Sequence, residues 1–318
     1  MRKKLISIIV PVFNEERNIP LLCYELFKTL KKLQNKYDYE IIFVDDGSAD
    51  KSQEILESLA GENKKIKYIQ FSRNFGKEIA TSAGIHKAKG DAAIMIDADL
   101  QHPPELIPLF LEKWECGADI VVGVRKDNKC ETMLKRICSF CFYSLMNHIG
   151  KTKITPNATD YRLLDKKVVK EFNRFTERSR ITRGLLDWLG FKKEFIYFNP
   201  GVRKSGKAKY SYLKLTKLAF ATFVNHSLFP LKFAGYLGII TTPLAGLTGL
   251  FILVEKYFLK DPLGLNFTGP AMLAVLLIFL IGIVLICLGL IALYIAEIQG
   301  EVMNRPMYVI RKTGNINE

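Results

Sequence analysis

Through its first 200 residues the chain alternates short apolar runs with stretches of helical period. Leu5 to Val12 reads Leu-Ile-Ser-Ile-Ile-Val-Pro-Val, the nearly unbroken pattern of a strand buried on both faces. After Asn14-Glu15-Glu16, apolar positions at Ile19, Leu22, Leu26, Leu30 and Leu33 predict a helix ending near Leu33. Glu40 to Val44 predicts a second strand. It runs into Asp45-Asp46-Gly47-Ser48, where Ser48 is placed to cap a helix extending through Leu59. Ile66 to Phe71 is a third strand, followed by Arg73-Asn74-Phe75-Gly76-Lys77 and a helix to Ala88. Ala92 to Ile96 and Ile120 to Val124 are the fourth and fifth strands. Strands alternating with helices at this spacing predict an α/β fold with a mostly parallel sheet and right-handed crossovers.

The second half changes character. Met133 to Ile149 is mostly apolar with Lys135 and Arg136 near its start, which fits an interfacial helix or a core helix. A short strand then carries Asp160 at its head. A helical stretch near Ile181 to Leu189 and a strand near Glu194 to Phe198 follow. Arg203, Lys204, Lys207 and Lys209 flank Gly206 in a loop suited to phosphate, or simply a basic linker. Leu213 to Val224 repeats apolar residues at helical spacing with Lys214 and Lys217 on the polar side, as in a helix lying on a membrane. Phe233 to Val254 and Ala271 to Ala296 carry no charge and are each about long enough to span a bilayer. Lysines and arginines flank this pair on both outer sides, so both termini are expected in the cytosol.

Composition adds direction. The 318 residues hold 46 Lys+Arg against 32 Asp+Glu, a net charge of +14, which implies anionic partners. The cations crowd residues in the 120s to 230s, just before the long apolar stretches, which favours a membrane surface over nucleic acid. No nucleic-acid-binding signature is present. Cys138-x-x-Cys141 has no second pair and reads as an apolar helix face rather than a zinc site. Scattered thiols fit a reducing compartment. The apolar run after the basic N-terminus ends at Pro11, too short for a signal peptide.

The candidate chemistry sits after the fourth strand, in Asp97-Ala98-Asp99-Leu100-Gln101, just before the helix start His102-Pro103-Pro104-Glu105. Open α/β sheets bind ligands at that end. If the segment is extended, residues two apart point the same way, and Asp97, Asp99 and Gln101 converge. Three hard oxygen donors suit Mg²⁺ or Mn²⁺, with a substrate diphosphate completing the shell. The alternative is a solvated acidic turn that caps the next helix. No Gly-x-Gly-x-x-Gly follows the first strand and no Walker lysine appears, so phosphate binding falls to a metal and basic side chains. Asp45 and Asp46 could accept hydrogen bonds from a base or ribose, although Asp-Gly-Ser is also ordinary turn chemistry.

These residues together resemble family 2 glycosyltransferases of the polyprenyl-phosphate group, near dolichyl-phosphate mannose synthases and bactoprenol glucosyltransferases. The matching pieces are Val10-Pro11-Val12-Phe13-Asn14-Glu15, Val44 to Ser48, Asp97 to Glu105, Asp160-Tyr161-Arg162-Leu163, the Arg203 to Tyr210 loop and Ser227 to Leu231. They occur in family order and cover nearly the whole chain. One departure is Ala208, where the family loop usually carries serine. The resemblance implies a GT-A fold, a nucleotide-sugar donor, a divalent metal, a polyprenyl-phosphate acceptor and inversion at the anomeric carbon.

Carried over by position, Pro11, Asn14, Glu15, Asp45, Asp46, Asp97 and Lys77 bind the donor, and Asp97, Asp99 and Gln101 hold Mg²⁺ or Mn²⁺. Asp160 and Asp99 lie at the reacting centre. Arg125, Arg136, Arg203, Lys207 and Lys209 are the candidate cations for the lipid phosphate, since two anions must be brought together, with Arg125 and Arg203 also expected to bear on catalysis. The implied organisation is a cytosolic GT-A domain over 1–211, a membrane-surface segment over 212–232, two transmembrane helices within 233–296 (about 233–254 and 271–296) and a cytosolic tail over 297–318. The implied protein is a membrane-bound hexosyltransferase of cell-envelope glycan synthesis. It would be multi-pass in the inner (plasma) membrane, with the bilayer as a partner and a homo-oligomer through its spans possible. UDP-glucose is the first-choice donor because bactoprenol glucosyltransferases share the two C-terminal spans; GDP-mannose and other UDP-sugars stay open. A processive polysaccharide synthase lacks support, since no Gln-x-x-Arg-Trp segment is present. An intact acidic loop argues against a non-catalytic membrane adaptor.

Overall fold

The computed structural model describes residues 2–126, 157–178, 180–199 and 269–316, with isolated positions 247, 250 and 254. In chain order the strands are β1 (Lys4–Val12), β2 (Tyr37–Asp45), β3 (Ile66–Phe71), β4 (Ala92–Met95), β5 (Ile120–Arg125), β6 (Ala158–Asp165), β7 (Lys193–Phe198) and β8 (Ile310–Gly314). The helices are α1 (Asn18–Leu33), α2 (Ser52–Glu62), α3 (Lys77–Lys87), α4 (Ile107–Glu115), α5 (Lys166–Phe172), α6 (Thr182–Trp188) and α7 (Gly269–Val302).

The strands form one sheet in the order β7-β5-β6-β4-β1-β2-β3-β8. The β1–β2, β1–β4, β2–β3 and β5–β7 pairs are parallel; β4–β6, β5–β6 and β3–β8 are antiparallel. Alternation along each strand divides the core between two faces. On one face Ile6, Ile8, Val10, Ile41 and Phe43 pack with Ile19, Leu22 and Leu26 of α1, Leu56 of α2 and Phe110 of α4. On the other, Ile42 and Val44 meet Ala80 and Ala83 of α3. There too Ile9 and Met95 meet Val168 and Phe172 of α5 and Leu186 of α6. Helices on both faces explain why the central strands read as unbroken apolar runs.

Two elements depart from the sequence reading. Ser48 does not cap a helix. Its hydroxyl donates to Asp45, and α2 begins later, at Ser52. The C-terminal tail supplies β8, which pairs with β3 as Tyr68↔Gly314, Ile69↔Thr313 and Gln70↔Lys312. Tyr308 stacks on Phe71 with ring centroids 4.9 Å apart, and Asn315 Nδ2 donates to the carbonyls of Ala60 (2.7 Å) and Ile66 (2.9 Å). A tail segment thus covers what would be an open sheet edge.

The chain divides into two compact units, Met1–Lys209 with Arg305–Glu318, and Tyr210–Asn304. The second contains α7, a single helix of 34 residues. The expectation of two C-terminal transmembrane helices is corrected here: among the described residues, no helix is long and apolar enough to cross a membrane. The expectations that rested on those spans fall with it: membrane-bound, multi-pass character, inner-membrane placement, the bilayer as a partner and oligomerisation through the spans. Absence of charge and sufficient length in a sequence run do not suffice, because a span needs a continuous helix apolar along its length. Only positions 247, 250 and 254 of the 233–254 run are described, and α7 does not stop where the charge-free run stops but continues to Glu301 and Val302. The interfacial segments at 133–149 and 212–232 lie outside the described residues.

Candidate active site

Because β2, β1 and β4 are parallel neighbours, the loops leaving their carboxyl ends share one edge of the sheet. Pro11 lies within β1, opposite Val44. Asn14 adopts a left-handed backbone, φ 55°, which asparagine tolerates. Its N–H donates to Ser48 Oγ at 2.9 Å, and its side-chain oxygen accepts from the Ala49 N–H at 2.8 Å. The Glu15 N–H donates to Ser52 Oγ at 2.9 Å, and its carboxylate accepts from Asn18 Nδ2 at 2.6 Å. Asn14 and Glu15 therefore lace the β1 loop to the β2 loop.

The two acids after β2 differ in role. Asp46 accepts from the Phe75 N–H at 2.7 Å and the Gly76 N–H at 2.9 Å, holding the turn before α3. Asp45 is fully buried; its Oδ1 accepts from the Ser48 N–H at 3.0 Å and from the Ser48 hydroxyl, while Oδ2 is buried with no partner. Burial pushes both carboxyls above their ordinary range, and the hydrogen bonds they accept pull partly back. Asp45 thus keeps an acceptor for a ligand group, and Asp46 serves the turn. Gly47 makes the close approach possible. Its φ is +71°, and a Cβ there would lie 2.5 Å from the carbonyl carbon of Arg73.

The acidic loop is a turn rather than an extended segment, with Leu100 at φ 62°. Asp97, Asp99 and Gln101 are consequently engaged one by one. Asp97 Oδ1 pairs with Lys77 Nζ at 2.6 Å, Asp99 Oδ1 accepts from the Gln101 N–H at 3.1 Å, and Gln101 Oε1 accepts from Arg125 Nη2 at 2.9 Å. His102, buried, fixes the start of the loop. Its Nδ1 accepts from the Asp97 N–H at 3.2 Å, and its ring stacks on Tyr161 at 5.2 Å. That bond places the ring proton on Nε2. Burial lowers the imidazole pKa, so the 3.8 Å approach of Nδ1 to Asp97 Oδ2 is no ion pair.

Asp160, at the head of β6, is held from both sides. Oδ2 meets Lys77 Nζ at 3.0 Å and Oδ1 meets Arg183 Nε at 2.5 Å. Burial would raise its pKa, but Lys77 and Arg183 outweigh burial and hold it well below the usual carboxylate range. Lys77 thus bridges Asp97 and Asp160; burial works against its charge, and the two carboxylates outweigh it, holding its pKa above the ordinary lysine value. Arg183 escaped the sequence reading, because nothing near Thr182-Arg183 marks it as different from other surface arginines. Arg136, Arg203, Lys207 and Lys209 lie outside the described residues.

Among the described residues, no group of three His, Cys, Asp or Glu is placed to hold a metal. The donor set nonetheless fits a hard divalent ion bound in part by substrate. Asp97 and Asp99 offer carboxylates, Gln101 an amide oxygen, and magnesium commonly takes one or two carboxylates plus phosphate oxygens. Asp97 is paired with Lys77, so an ion bound there would share or displace that ammonium.

An α/β core with its acids gathered at the carboxyl edge of parallel strands is the architecture of a GT-A-like glycosyltransferase. The sequence profile of glycosyl transferase family 2 matches residues 7–172, and the chain belongs to that family. It is 41% identical over 305 residues to an uncharacterized glycosyltransferase of Synechocystis sp., covering 96% of this chain and 94% of that one. It is 37% identical over 310 residues to the SfII prophage-derived bactoprenol glucosyl transferase of Shigella flexneri, covering 97% and 98%. Among solved structures, glucosyl-3-phosphoglycerate synthase of Mycobacterium tuberculosis, in complex with Mn²⁺, UDP-glucose and phosphoglyceric acid, aligns over 70% of this chain and 78% of its own. The identity there is 16% and the TM-score 0.44. This is a family 2 glycosyltransferase related to bactoprenol and other polyprenyl-phosphate sugar transferases.

Proposed function

We propose that the protein transfers a hexosyl group from a nucleotide sugar to a polyprenyl phosphate, with inversion at the anomeric carbon. The observation that carries this reading is the state of Asp160. Both its oxygens are occupied by cations, at 3.0 Å and 2.5 Å, and it stays ionised. A carboxylate so held is a weak base. A sugar hydroxyl acceptor would need a base, whereas a phosphate monoester is largely ionised at neutral pH and can attack as it stands. Several relatives are bactoprenol glucosyl transferases, which supports the same acceptor class and a glucosyl donor, for which we propose UDP-glucose.

Asp45 Oδ2 is the acceptor for a donor-base or ribose group, and Asp97, Asp99 and Gln101 are the residues that would hold Mg²⁺ or Mn²⁺. The ion supplies charge neutralisation for the leaving nucleoside diphosphate. Lys77 and Arg125 bring cations to the same edge. Arg203, Lys207 and Lys209 enter this reading from the sequence alone, as further phosphate-seeking side chains. The experiment is a donor screen with the full chain, Mn²⁺ and a short polyprenyl phosphate in detergent, read as nucleoside diphosphate release. Release that depends on both the lipid phosphate and one donor is expected. Release indifferent to the lipid phosphate, or none from any donor, would overturn the assignment.

A further inference from the structure

Arg183 belongs to none of the motifs that mark the family in this chain, yet it pairs with Asp160, the acid that the resemblance assigns to the reacting centre. Its Nε donates to Asp160 Oδ1 at 2.5 Å and its Nη1 donates to the Ala158 carbonyl at 3.1 Å. Those two bonds fix the plane of the guanidinium and leave the outer Nη2 amine without a partner among the described residues. The side chain remains 46% exposed. Arg183 also borders a small cleft with Asp160, Glu78, Thr81, Arg162 and Thr182. Arg162 is fully buried in that wall, and its Nη1 makes no hydrogen bond, lying 3.5 Å from Asp187.

We propose that Arg183, oriented by Asp160, is a binding residue for the phosphate of the acceptor; the proposal rests on the phosphate-acceptor reading above. The physical argument is one of charge and shape. An unpaired Asp160 would repel an incoming phosphate. With Lys77 on one oxygen and Arg183 on the other, the acids Asp97 and Asp160 are matched by two cations, and the repulsion is removed. A guanidinium held by its Nε edge presents its remaining N–H groups outward in a fixed plane, which suits the oxygens of a phosphate; a lysine in the same place would be a point charge. The role of Asp160 then becomes positional: it aims Arg183 and Lys77 while the phosphate supplies the nucleophilic oxygen.

The test compares wild type, Arg183→Ala and Arg183→Lys on the full chain in detergent, with a short polyprenyl phosphate and the donor that supports turnover. Acceptor KM, kcat and donor-nucleotide Kd are measured separately. Arg183→Ala should raise acceptor KM by about 10- to 100-fold, the loss of a charged hydrogen bond, with donor Kd within about twofold. Arg183→Lys should recover part of that loss, and free guanidinium should restore transfer by Arg183→Ala in a concentration-dependent way. A structural role alone would weaken donor binding together with transfer and would not respond to guanidinium. Unchanged acceptor KM in Arg183→Ala, or a parallel rise in donor Kd without guanidinium rescue, overturns the proposal and leaves the phosphate-acceptor reading standing. A wild-type enzyme that transfers only to a non-phosphorylated acceptor overturns both.

Discussion

Replacing Asp160 with asparagine removes one charge that two cations share, and the structure fixes what should follow. The carboxylate is 18% exposed, while Lys77 and Arg183 are 43% and 46% exposed. A hydrogen bond to a charged group contributes about 1.5–3 kcal/mol when shielded. Solvent screening at the half-exposed cations brings each contact towards the lower end. We expect Asp160→Asn to cost about 2–3 kcal/mol, or a fall in Tm of about 4–12 °C, for a unit of this size. The pH dependence follows from the sign of the shift. The folded carboxyl lies below its unfolded value, so its contribution is complete above an unfolded pKa of about 4 and declines as pH falls below it. Unfolding of wild type and variant should therefore differ by a constant amount from pH 7 down to about pH 4 and converge in stronger acid. A difference under about 0.5 kcal/mol at pH 7, or one that widens as pH drops, would refute the clamp.

Three further outcomes follow from the same site. Asp99→Ala should abolish metal-dependent nucleotide binding while far-UV circular dichroism stays unchanged; normal turnover in that variant, with EDTA harmless to wild type, would remove the metal from the reaction. Gly47→Ala meets both a positive φ and the Arg73 backbone, so thermal unfolding should show a loss of about 2–3 kcal/mol, and wild-type stability would contradict the geometry. Arg203→Ala should impair transfer to polyprenyl phosphate in detergent and leave donor-nucleotide affinity nearly intact; wild-type transfer rates there would take the basic loop out of the acceptor site.

Much of the core was legible because burial on both faces writes unbroken apolar runs. Ile66 to Phe71 is the observed β3; β1 ends and β4 and β5 begin where expected, and the other ends of β1, β2, β4 and β5 shift by one to three residues. The acids after β2 and β4 stood out for a similar reason, since carboxylates directly after a buried strand must lie at its end. What the sequence hid was pairing at a distance. Nothing local shows that Lys77 reaches Asp160, 83 positions away, or that Arg183 meets the same acid. The strand pleat suggested that Asp97, Asp99 and Gln101 point together, but Leu100 turns the backbone left-handed and breaks that alternation. β8 was invisible because its sequence, Ile-Arg-Lys-Thr-Gly, is mostly polar; an edge strand with solvent on one side carries little apolar signal.

The most direct test is the chemistry of the product. The full chain is incubated in detergent with Mn²⁺, a nucleotide hexose and a polyprenyl phosphate, and the lipid is analysed by mass spectrometry and by ³¹P and ¹H NMR. The account predicts a lipid that has gained one hexosyl unit through a phosphodiester, with anomeric configuration opposite to that of the donor and one nucleoside diphosphate released per lipid modified. Unmodified lipid alongside full donor consumption, or a product with the donor's own anomeric configuration, would contradict it.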